Sequence, residues 1–337
     1  MKAVGYKVPG PIDADASLVD IALPEPRPAG RDLLVEVKAI SVNPVDTKVR
    51  RSASPQGDDW KVLGWDAAGV VRAVGSEVTL FQPGDAVFYA GSITRPGANA
   101  ELHLVDERIV GHKPASLDWA EAAALPLTAL TAWEALFDRL DVAKPAPGAA
   151  RAILIVGGAG GVGSIAVQIA RQLTDLAVIA TASRPETQAW VKALGAHHVI
   201  DHSKPLAPQV EALGVGAPAF VFSTTHTGAH VADIAELIAP QGRVCLIDDP
   251  KGFDIMLFKR KAVSIHHELM FTRSIFHTPD MGEQGRILND VGRLVDEGRL
   301  RSTLTERRSP INAANLKQAH ALLESEKARG KIVLEGF

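Results

Sequence analysis

The 337-residue sequence predicts an α/β protein that combines a small irregular β-barrel with a doubly wound parallel sheet. Two observations predict this class. Up to about residue 117, short stretches rich in β-branched residues alternate with Gly and Pro corners, which is typical of a barrel of short strands. From about residue 120 to 271, strand-like and helix-like stretches alternate, which is typical of a parallel sheet covered by helices on both faces.

The first and last parts of the chain supply the predicted barrel. Its strands are LLVEVKAISV, AGVVRAVGSEV and, after a Pro-Gly turn, DAVFYAG. After residue 272, two helical stretches, QGRILNDVGRLVDEG and LKQAHALLESEKARG, precede a closing strand, KIVLEGF. We therefore expect one domain made of residues 1–124 and 272–337, and a second domain made of residues 125–271.

The second domain alternates regularly between the two kinds of element. Its predicted strands are AILIVG, AVIATAS, HHVID, AFVFST, RVCLI and AVSIHHELM. Helical patterns lie between them, among them SIAVQIARQL, PETQAWVKALGA and AHVADIAELIAP. Parallel strands need such crossover helices, so this order predicts a single parallel sheet.

Composition and charge exclude several classes of protein. The chain is 46% hydrophobic and 22% charged, with a formal net charge of −3, which is a globular profile. No polybasic run stands out, so we expect neither a nucleic-acid nor a membrane partner. The single cysteine, Cys245 in GRVCLI, is predicted to be a buried strand residue, and the N-terminus has no apolar segment of signal-peptide length. We expect a cytoplasmic protein.

A glycine-rich turn in IVGGAGGVGSIAVQIARQL predicts a dinucleotide site. Gly158, Gly160 and Gly163 have the G-x-G-x-x-G spacing, directly after an apolar strand and at the start of a helix. The first glycine permits a tight turn, the second lets the backbone approach a pyrophosphate, and the third lets helix and sheet pack closely. With Gly161 and Val162, they place helix N-terminal N–H groups beside the phosphates. A glycine-rich turn without a ligand is the alternative.

The end of the second predicted strand indicates which dinucleotide binds. An NAD site usually has Asp or Glu there, whereas this chain has TASR, with Ser183 and Arg184 at the strand end. An arginine pairs with a 2′-phosphate, which a carboxylate would repel. The sequence therefore favours NADPH, with a solvated surface arginine as the alternative.

These motifs, together with VNPVDTKVR, LGWDAAGVVRAVG, GDAVFYAG and LPLTALTAWEAL, make the chain resemble the medium-chain dehydrogenase/reductase superfamily over essentially its whole length. Within it, the chain looks most like the quinone oxidoreductase branch, in particular the bacterial proteins labelled zinc-type alcohol dehydrogenase-like. The resemblance implies a GroES-like barrel domain that carries the catalytic residues and a Rossmann dinucleotide-binding domain.

The sequence departs from the zinc enzymes of that superfamily. Asn43 stands in place of a ligating Cys, Trp65 in place of a ligating His, and Val45 in place of the proton-relay serine. A catalytic zinc needs about three protein ligands, so we expect none here. His266, His267 and Glu268 are consecutive on a predicted strand, and their side chains alternate between its faces and cannot converge on a metal.

Without a Lewis acid, a simple alcohol or ketone is hard to polarise, whereas a quinone or an α,β-unsaturated carbonyl spreads the developing charge itself. We therefore expect an NADPH-dependent, zinc-independent reductase of quinones or enones. Two alternatives stay open at this point. One is a zinc-type alcohol or aldehyde dehydrogenase with unrecognised ligands, and the other is an NADPH-binding protein with little turnover.

The resemblance implies roles for particular residues. Asn43 is expected near the nicotinamide, Thr131 (less so Thr128) at the carboxamide or ribose, and Asp46 as an acid that orients its neighbours. His202 stands where relatives often carry a tyrosine beside the adenosine phosphate. Lys331 is expected to reach the coenzyme, with a solvated lysine as the alternative.

Candidates for the proton donor are a desolvated Lys48 and the hydroxyl of Tyr89, and solvent is the third possibility. Trp65, Met270 and Phe271 are expected to line the pocket of a small-molecule substrate, with core packing as the alternative. Relatives commonly dimerise through the last strand of the parallel sheet, so AVSIHHELM predicts a homodimer.

Overall fold

A computed structural model describes residues 1–55, 57 and 59–337. The chain forms two compact units, one of Met1–Leu130 with Phe271–Phe337 and one of Thr131–Met270. The first boundary lies within the helix Pro126–Trp133, further along the chain than the boundary expected after residue 124. The N–H of Leu127 at the start of this helix donates to Asp66, which ties its first turn to the barrel.

The strands, in chain order, are β1 (Lys2–Tyr6), β2 (Val19–Ala22), β3 (Asp32–Ser41), β4 (Lys61–Val62), β5 (Ala67–Val74), β6 (Ala86–Tyr89), β7 (Leu102–Asp106), β8 (Val110–His112), β9 (Ala150–Val156), β10 (Ala177–Thr181), β11 (His198–Ile200), β12 (Pro218–Ser223), β13 (Arg243–Leu246), β14 (Ser264–His267), β15 (Leu304–Arg308) and β16 (Lys331–Glu335). The α-helices are α1 (Pro44–Ser52), α2 (Trp119–Ala123), α3 (Pro126–Trp133), α4 (Gly161–Leu173), α5 (Pro185–Ala193), α6 (Leu206–Ala212), α7 (Thr227–Leu237), α8 (Thr272–Phe276), α9 (Glu283–Asp296) and α10 (Ala313–Glu324). A π-helical segment, Glu134–Arg139, directly follows α3.

The first unit is built on β3, whose residues alternate between buried and half-buried positions because one face of the strand meets the core. Its sheet runs in the order β15-β16-β3-β5-β6-β8, with β7 also paired to β3. A second sheet has the order β2-β1-β4. This is the irregular barrel that the sequence predicts, and its closing strand β16 lies antiparallel to β3.

The second unit is a parallel sheet in the order β11-β10-β9-β12-β13-β14. The order reverses between β9 and β12, which is the switch point at which doubly wound sheets bind ligands. Each of the six stretches predicted as strands overlaps one of these strands. Cys245 is fully buried on β13, as expected, and burial raises the pKa of its thiol.

Several elements have no counterpart in the sequence prediction, among them α6, α8 and β15. Helix α6 spans seven residues, LAPQVEA, and carries an internal proline, so its apolar periodicity is too short to detect. Helix α8 has only five residues. Strand β15 reads LTERR and is nowhere fully buried, so apolar alternation is absent from it. Among the described residues, no helix is long and apolar enough to cross a membrane.

Candidate functional site

The glycine-rich turn of the second unit connects β9 to α4. Gly157 has φ +78°, in the left-handed region, so the tight turn lies one residue before the motif glycine to which the sequence assigned it. A Cβ on Gly158 would lie 2.9 Å from the Cβ of Ala180, and a Cβ on Gly163 would overlap the carbonyl oxygen of Gly157. Both glycines therefore serve close packing between the turn, the sheet and the helix.

The N-terminus of α4 offers N–H groups to an anion. Gly160 is the N-cap, and its carbonyl accepts the N–H of Ser164 at 2.9 Å as the first bond of the helix. The N–H groups of Gly161, Val162 and Gly163 precede that bond, and the first N–H groups of a helix have no acceptor within it. With the helix dipole, they suit a pyrophosphate, as predicted from the spacing.

A chain of hydrogen bonds joins this turn to the neighbouring strand ends. The N–H of Gly157 donates to Thr181 Oγ1 at 2.9 Å, and Thr181 Oγ1 lies 3.0 Å from His202 Nδ1. Ser183 and Arg184 follow β10, as the sequence analysis expected, and Arg184 is the N-cap of α5 with its Nε 3.2 Å from Glu186. The turn, Arg184 and His202 thus lie at the carboxyl ends of adjacent strands, since β10 pairs with both β9 and β11.

A buried polar cluster lies in the first unit, where β16 meets the end of β3. The Lys331 ammonium donates to Val42 O at 2.9 Å, to Asp66 Oδ2 at 3.0 Å and to Asn43 Oδ1. Asn43 Nδ2 donates to Asp66 Oδ2 at 2.8 Å. Lys331 is therefore not solvated, and its three N–H groups are used inside the unit; its contact with the coenzyme stays a prediction.

The carboxylates of the cluster hold the surrounding backbone. Asp66 Oδ1 accepts the N–H of Leu127 at 2.8 Å, and burial raises the pKa of Asp66. Asp46 accepts the N–H groups of Asn43 at 2.7 Å and Gly64 at 3.0 Å, and burial raises its pKa to about 7. Asp46 thus orients its neighbours, whereas the amide of Asn43, expected at the nicotinamide, is engaged with Lys331 and Asp66.

The two side chains expected to donate a proton are in unfavourable positions for it. Lys48 is exposed on α1, so the desolvation that the expectation required is absent. Tyr89 is fully buried, and its hydroxyl lies 3.0 Å from His103 Nδ1. Because His103 Nε2 faces the Pro96 carbonyl at 3.0 Å and must donate to it, Nδ1 accepts the Tyr89 proton. Burial also raises the pKa of Tyr89 strongly.

The residues expected to line a substrate pocket are all buried. Trp65 Nε1 donates to Ser92 O at 3.1 Å, and its ring meets Phe271 edge-on with centroids 6.3 Å apart. Met270 is 2% exposed. This arrangement agrees with core packing, and the pocket role stays a prediction. Thr131 is buried too, and Thr128 Oγ1 donates to the carbonyl of Leu125, which directly precedes α3.

The side chains at the zinc-ligand positions do not fit a catalytic zinc. Asn43 is held by Lys331, whose ammonium already neutralises Asp66, and Trp65 has no atom that binds a metal. Glu268, which the sequence groups with His266 and His267, accepts from Arg139 Nε at 2.8 Å. In residues 1–55, 57 and 59–337, no three side chains of His, Cys, Asp or Glu are grouped so as to hold a metal.

Sequence reasoning missed three residues of these sites: Asp66, Gly157 and Thr181. Asp66 lies beside Trp65 in GWDAAG, directly before an apolar strand. A carboxylate at such a position is expected to be buried and therefore to need a cation or hydrogen-bond donors as partners. Gly157 directly precedes the motif. Thr181 ends β10 as a hydroxyl among apolar residues, where a bond to the backbone is expected.

A barrel unit together with a doubly wound parallel sheet, whose strand β9 leads through a glycine-rich turn into α4, is the architecture of a class of oxidoreductases. Comparison with known proteins agrees. A family model described as alcohol dehydrogenase GroES-like domain matches residues 29–115, and one described as zinc-binding dehydrogenase matches residues 194–334. The chain belongs to the medium-chain dehydrogenase/reductase superfamily of oxidoreductases.

Two curated relatives illustrate the range of names in this superfamily. The zinc-type alcohol dehydrogenase-like protein SAS2087 of Staphylococcus aureus (strain MSSA476) is 40% identical over 336 residues, 99% of each chain. The NADPH-dependent alkenal/one oxidoreductase, chloroplastic, of Arabidopsis thaliana is 35% identical over 212 residues, 60% of this chain and 53% of that protein.

Solved structures show the same fold. A protein from Rhizobium etli CFN 42, assigned as a zinc-dependent alcohol dehydrogenase, is 80% identical with a TM-score of 0.99, covering 100% of this chain and 98% of its own. The quinone oxidoreductase from Coxiella burnetii is 28% identical with a TM-score of 0.81, covering 100% of this chain and 99% of its own.

Proposed function

We propose that this protein is an NADPH-dependent, zinc-independent reductase of quinones or α,β-unsaturated carbonyls. The observation that carries the proposal is the Asn43–Asp66–Lys331 cluster, in which Asn43, at a position where the resemblance puts a zinc ligand, is bonded to Lys331 and Asp66. The ammonium of Lys331 neutralises the charge of Asp66. Its three N–H groups already have acceptors, so they cannot polarise the carbonyl of a substrate. The acceptor must therefore stabilise the developing charge itself, as quinones and enones do.

The second unit supplies the groups that would hold the coenzyme. The N–H groups that open α4 suit its pyrophosphate, and Arg184 at the end of β10 suits a 2′-phosphate. The bound coenzyme supplies the hydride. Because Tyr89 donates to His103 and Lys48 is exposed, we assign protonation of the reduced product to solvent.

The names of some relatives suggest a reductase of enones or quinones, and the name of another suggests a zinc enzyme. The Arabidopsis thaliana relative is named for NADPH and alkenals or enones and the Coxiella burnetii structure for quinones, whereas the Rhizobium etli protein is assigned to zinc. The residues of this chain decide our choice, since Asn43 and Trp65 are unsuited to binding zinc. The proposal also assigns the protein to the cytoplasm, where a free buried Cys245 needs no partner.

Turnover with a substrate panel tests the proposal. The purified full chain is incubated with NADPH and, separately, with quinones, enones and simple aldehydes, before and after treatment with a chelator. We expect NADPH oxidation with quinones or enones that the chelator leaves unchanged. Aldehyde turnover that disappears on chelation and returns with zinc would establish the zinc dehydrogenase instead. NADPH binding without turnover of any substrate would indicate a binding protein.

The Arg184→Ala variant tests the coenzyme assignment. Loss of a charge-assisted hydrogen bond to the 2′-phosphate should weaken NADPH by about 10–100-fold and NADH by much less. Fluorescence titration with both coenzymes measures this. The matched control is Arg151→Ala, which removes an exposed arginine near the start of β9 and should change neither affinity. Equal effects on NADPH and NADH would refute the assignment.

We also propose that the protein is a homodimer joined through β14. This strand lies at the edge of its sheet and pairs with β13 on one side, and its outermost residues are exposed. An edge strand presents backbone groups to a second strand, and antiparallel pairing of two copies would satisfy them. Light scattering should give twice the mass of the chain. A single-chain mass at every concentration tested would rule the dimer out.

A further inference from the structure

Two helices of the second unit, α4 and α7, begin at the edge of the parallel sheet where its strands end, and their N-termini differ. Helix α4 follows β9, its N-cap Gly160 has no side chain, and its first N–H groups have no acceptor within the helix. Helix α7 follows β12, and the N–H of its first residue, Thr227, donates to Asp248 Oδ2 at 2.9 Å. A carboxylate therefore covers the N-terminus of α7, whereas that of α4 stays open to an anion.

A buried network of hydrogen bonds holds the carboxylate of Asp248. Its Oδ1 accepts the hydroxyl proton of Thr227 at 2.5 Å, and Thr227 Oγ1 lies 2.7 Å from Ser223 Oγ. Because the single hydroxyl proton of Thr227 goes to Asp248, Ser223 must donate to Thr227. Thr227 and Ser223 are both fully buried, so the network fixes the position of the carboxylate.

The group that covers α7 comes from outside the helix and is charged. The N-cap residue, His226, makes no side-chain bond to the helix, whereas Asp248 lies two residues after β13, which pairs with β12. A Ser, Thr or Asn side chain would satisfy such an N–H group without a charge. In the part of the chain that the structure describes, no Lys, Arg or His forms an ion pair with Asp248. Asp248 therefore brings a net negative charge to this place.

The order of the strands indicates which part of a coenzyme would lie near Asp248. The parallel strands end at the same edge, in the order β11-β10-β9-β12-β13-β14. The proposed function assigns the 2′-phosphate to Arg184 after β10 and the pyrophosphate to the turn after β9. Since the pyrophosphate lies between the two nucleosides of the coenzyme, the nicotinamide half must extend the other way, towards the ends of β12 and β13.

Hydride transfer changes the charge of that half of the coenzyme. The nicotinamide ring of NADPH is neutral. Donation of a hydride, which is one hydrogen with two electrons, leaves the ring with a charge of +1, and solvent supplies the proton that completes the reduced product. An uncovered N-terminus of α7, equivalent to about half a positive charge, would repel that ring. The carboxylate of Asp248 reverses the sign of this electrostatic effect.

We infer that Asp248 sets the balance between oxidised and reduced coenzyme: its carboxylate favours the cationic ring of NADP⁺ over the neutral ring of NADPH, and so favours donation of hydride by the bound coenzyme. The inference rests on the proposed function, because it needs a nicotinamide coenzyme bound across this edge of the sheet. Asp248 acts on the ring through its charge and not through contact. The two helix N-termini then have opposite roles, since the open one suits the anionic part of the coenzyme and the covered one suits the cationic part.

The dissociation constants of NADPH and NADP⁺ test this inference, because the two molecules differ only in the ring. They are measured on the purified full chain by fluorescence or calorimetric titration, with the Asp248→Asn variant beside the wild type. Asparagine can accept the N–H of Thr227 and donate to Thr227 Oγ1, so the charge is lost and the network is kept. We expect NADP⁺ to weaken about 2–15-fold relative to NADPH, the size of the interaction between unit charges about 10 Å apart at an effective dielectric constant of about 20–80.

Two further variants separate the charge of Asp248 from its structural role. Asp248→Glu keeps the charge and should keep the wild-type ratio of the two dissociation constants. The matched control is Asp201→Asn, which removes a carboxylate directly after β11, on the side assigned to the adenosine half. NADPH and NADP⁺ share that half, so both affinities should change by the same factor. Thermal denaturation records the stability of each variant, and a structural role alone would weaken both coenzymes equally.

The wild type allows a second test that requires no variant. Salt screens the attraction between the carboxylate and the cationic ring, whereas the phosphates contribute equally to both coenzymes. The ratio of the NADP⁺ to the NADPH dissociation constant should therefore rise between about 20 mM and about 500 mM NaCl, as the Debye length falls from roughly 20 Å to roughly 4 Å.

The possible results distinguish this inference from the proposed function. A folded Asp248→Asn variant with the wild-type ratio, or a wild-type ratio that does not change with salt, would overturn the role of Asp248 and leave the proposed function intact. The same titrations with NADH and NAD⁺ test Asp248 even if the assignment to NADPH fails, because both pairs share the nicotinamide ring. If neither pair bound, the proposed function and this inference would both be overturned.

Discussion

Lys331 and Asp66 form an ion pair in which both side chains are almost fully buried, at 3% and 0% exposure. Removing such charges from water costs several kcal/mol each, and the pair is stable only if further hydrogen bonds satisfy both groups. Here every N–H of the ammonium has an acceptor, and Asp66 accepts from Asn43 and Leu127 as well. The cluster therefore joins three segments that are distant in the chain, at residues 42–43, 66 and 331.

The Lys331→Met variant should be destabilised by about 3–5 kcal/mol, because it leaves the Asp66 carboxylate buried without a cation. The double variant Lys331→Met, Asp66→Asn should cost less than the sum of the two single variants. Urea denaturation measures all three. The control Lys38→Met breaks a pair with Glu36 that is about one-third exposed, and should cost less than about 1 kcal/mol. A Lys331→Met cost no larger than the control's would contradict this account.

The turn between β9 and α4 depends on how closely helix α4 approaches the end of β9. Gly163 lies against the carbonyl of Gly157, and no side chain fits between them. Gly160 differs, since a Cβ there would lie 3.5 Å from the same oxygen, an ordinary van der Waals distance, and its φ is −71°. Close packing therefore requires glycine at position 163 but not at position 160.

The Gly163→Ala variant should unfold at a lower temperature than the wild type, with an overpacking cost of about 1–3 kcal/mol. Gly160→Ala should lose less, below about 1 kcal/mol, because its added methyl group has room and only the poorer fit of alanine to an N-cap opposes the change. Thermal denaturation without coenzyme compares them, so that effects on binding do not enter. If both variants melted together with the wild type, close packing would not explain Gly163.

At the scale of the whole molecule, the buried carboxylates make stability depend on pH. The pKa of Asp46 is about 7 in the folded protein and 3.8 for an unperturbed side chain. At Asp46 the folded state therefore binds more protons than the unfolded state between these values, and the contribution of this side chain to the free energy of unfolding falls as the pH rises through this interval. Asp66 acts in the same direction, because burial raises its pKa too.

The Asp46→Asn variant should flatten this dependence. The wild type should lose up to about 4 kcal/mol of stability through Asp46 between about pH 4 and pH 7, a loss that the variant does not share. Asn is also a poorer acceptor for the N–H groups of Asn43 and Gly64, so the variant should be less stable at pH 5. Urea denaturation at pH 5 and pH 8 measures both effects. An equally steep fall in the variant would show that Asp46 is not the titrating group.

The sequence by itself determined the features that short stretches encode. The alternation of strands and helices predicted the parallel sheet, and the G-x-G-x-x-G spacing after an apolar strand located the glycine-rich turn between β9 and α4, because both depend on neighbouring residues. Arg184 was placed correctly at a strand end for the same reason. Strand β15 escaped prediction because its residues carry no apolar period, and α6 and α8 escaped it because they are short.

Only the tertiary structure decided which polar side chains meet. Lys331 and Asp66 are 265 positions apart in the chain, and the pairing of β16 with β3 brings that region together. Nothing local distinguishes a lysine that points into solvent from one whose ammonium has three buried acceptors. The hydrogen bonds of Asn43 to Asp66 and of Tyr89 to His103 were likewise decided by the tertiary structure. Burial and hydrogen bonding between residues far apart in the chain arise only when the chain is packed.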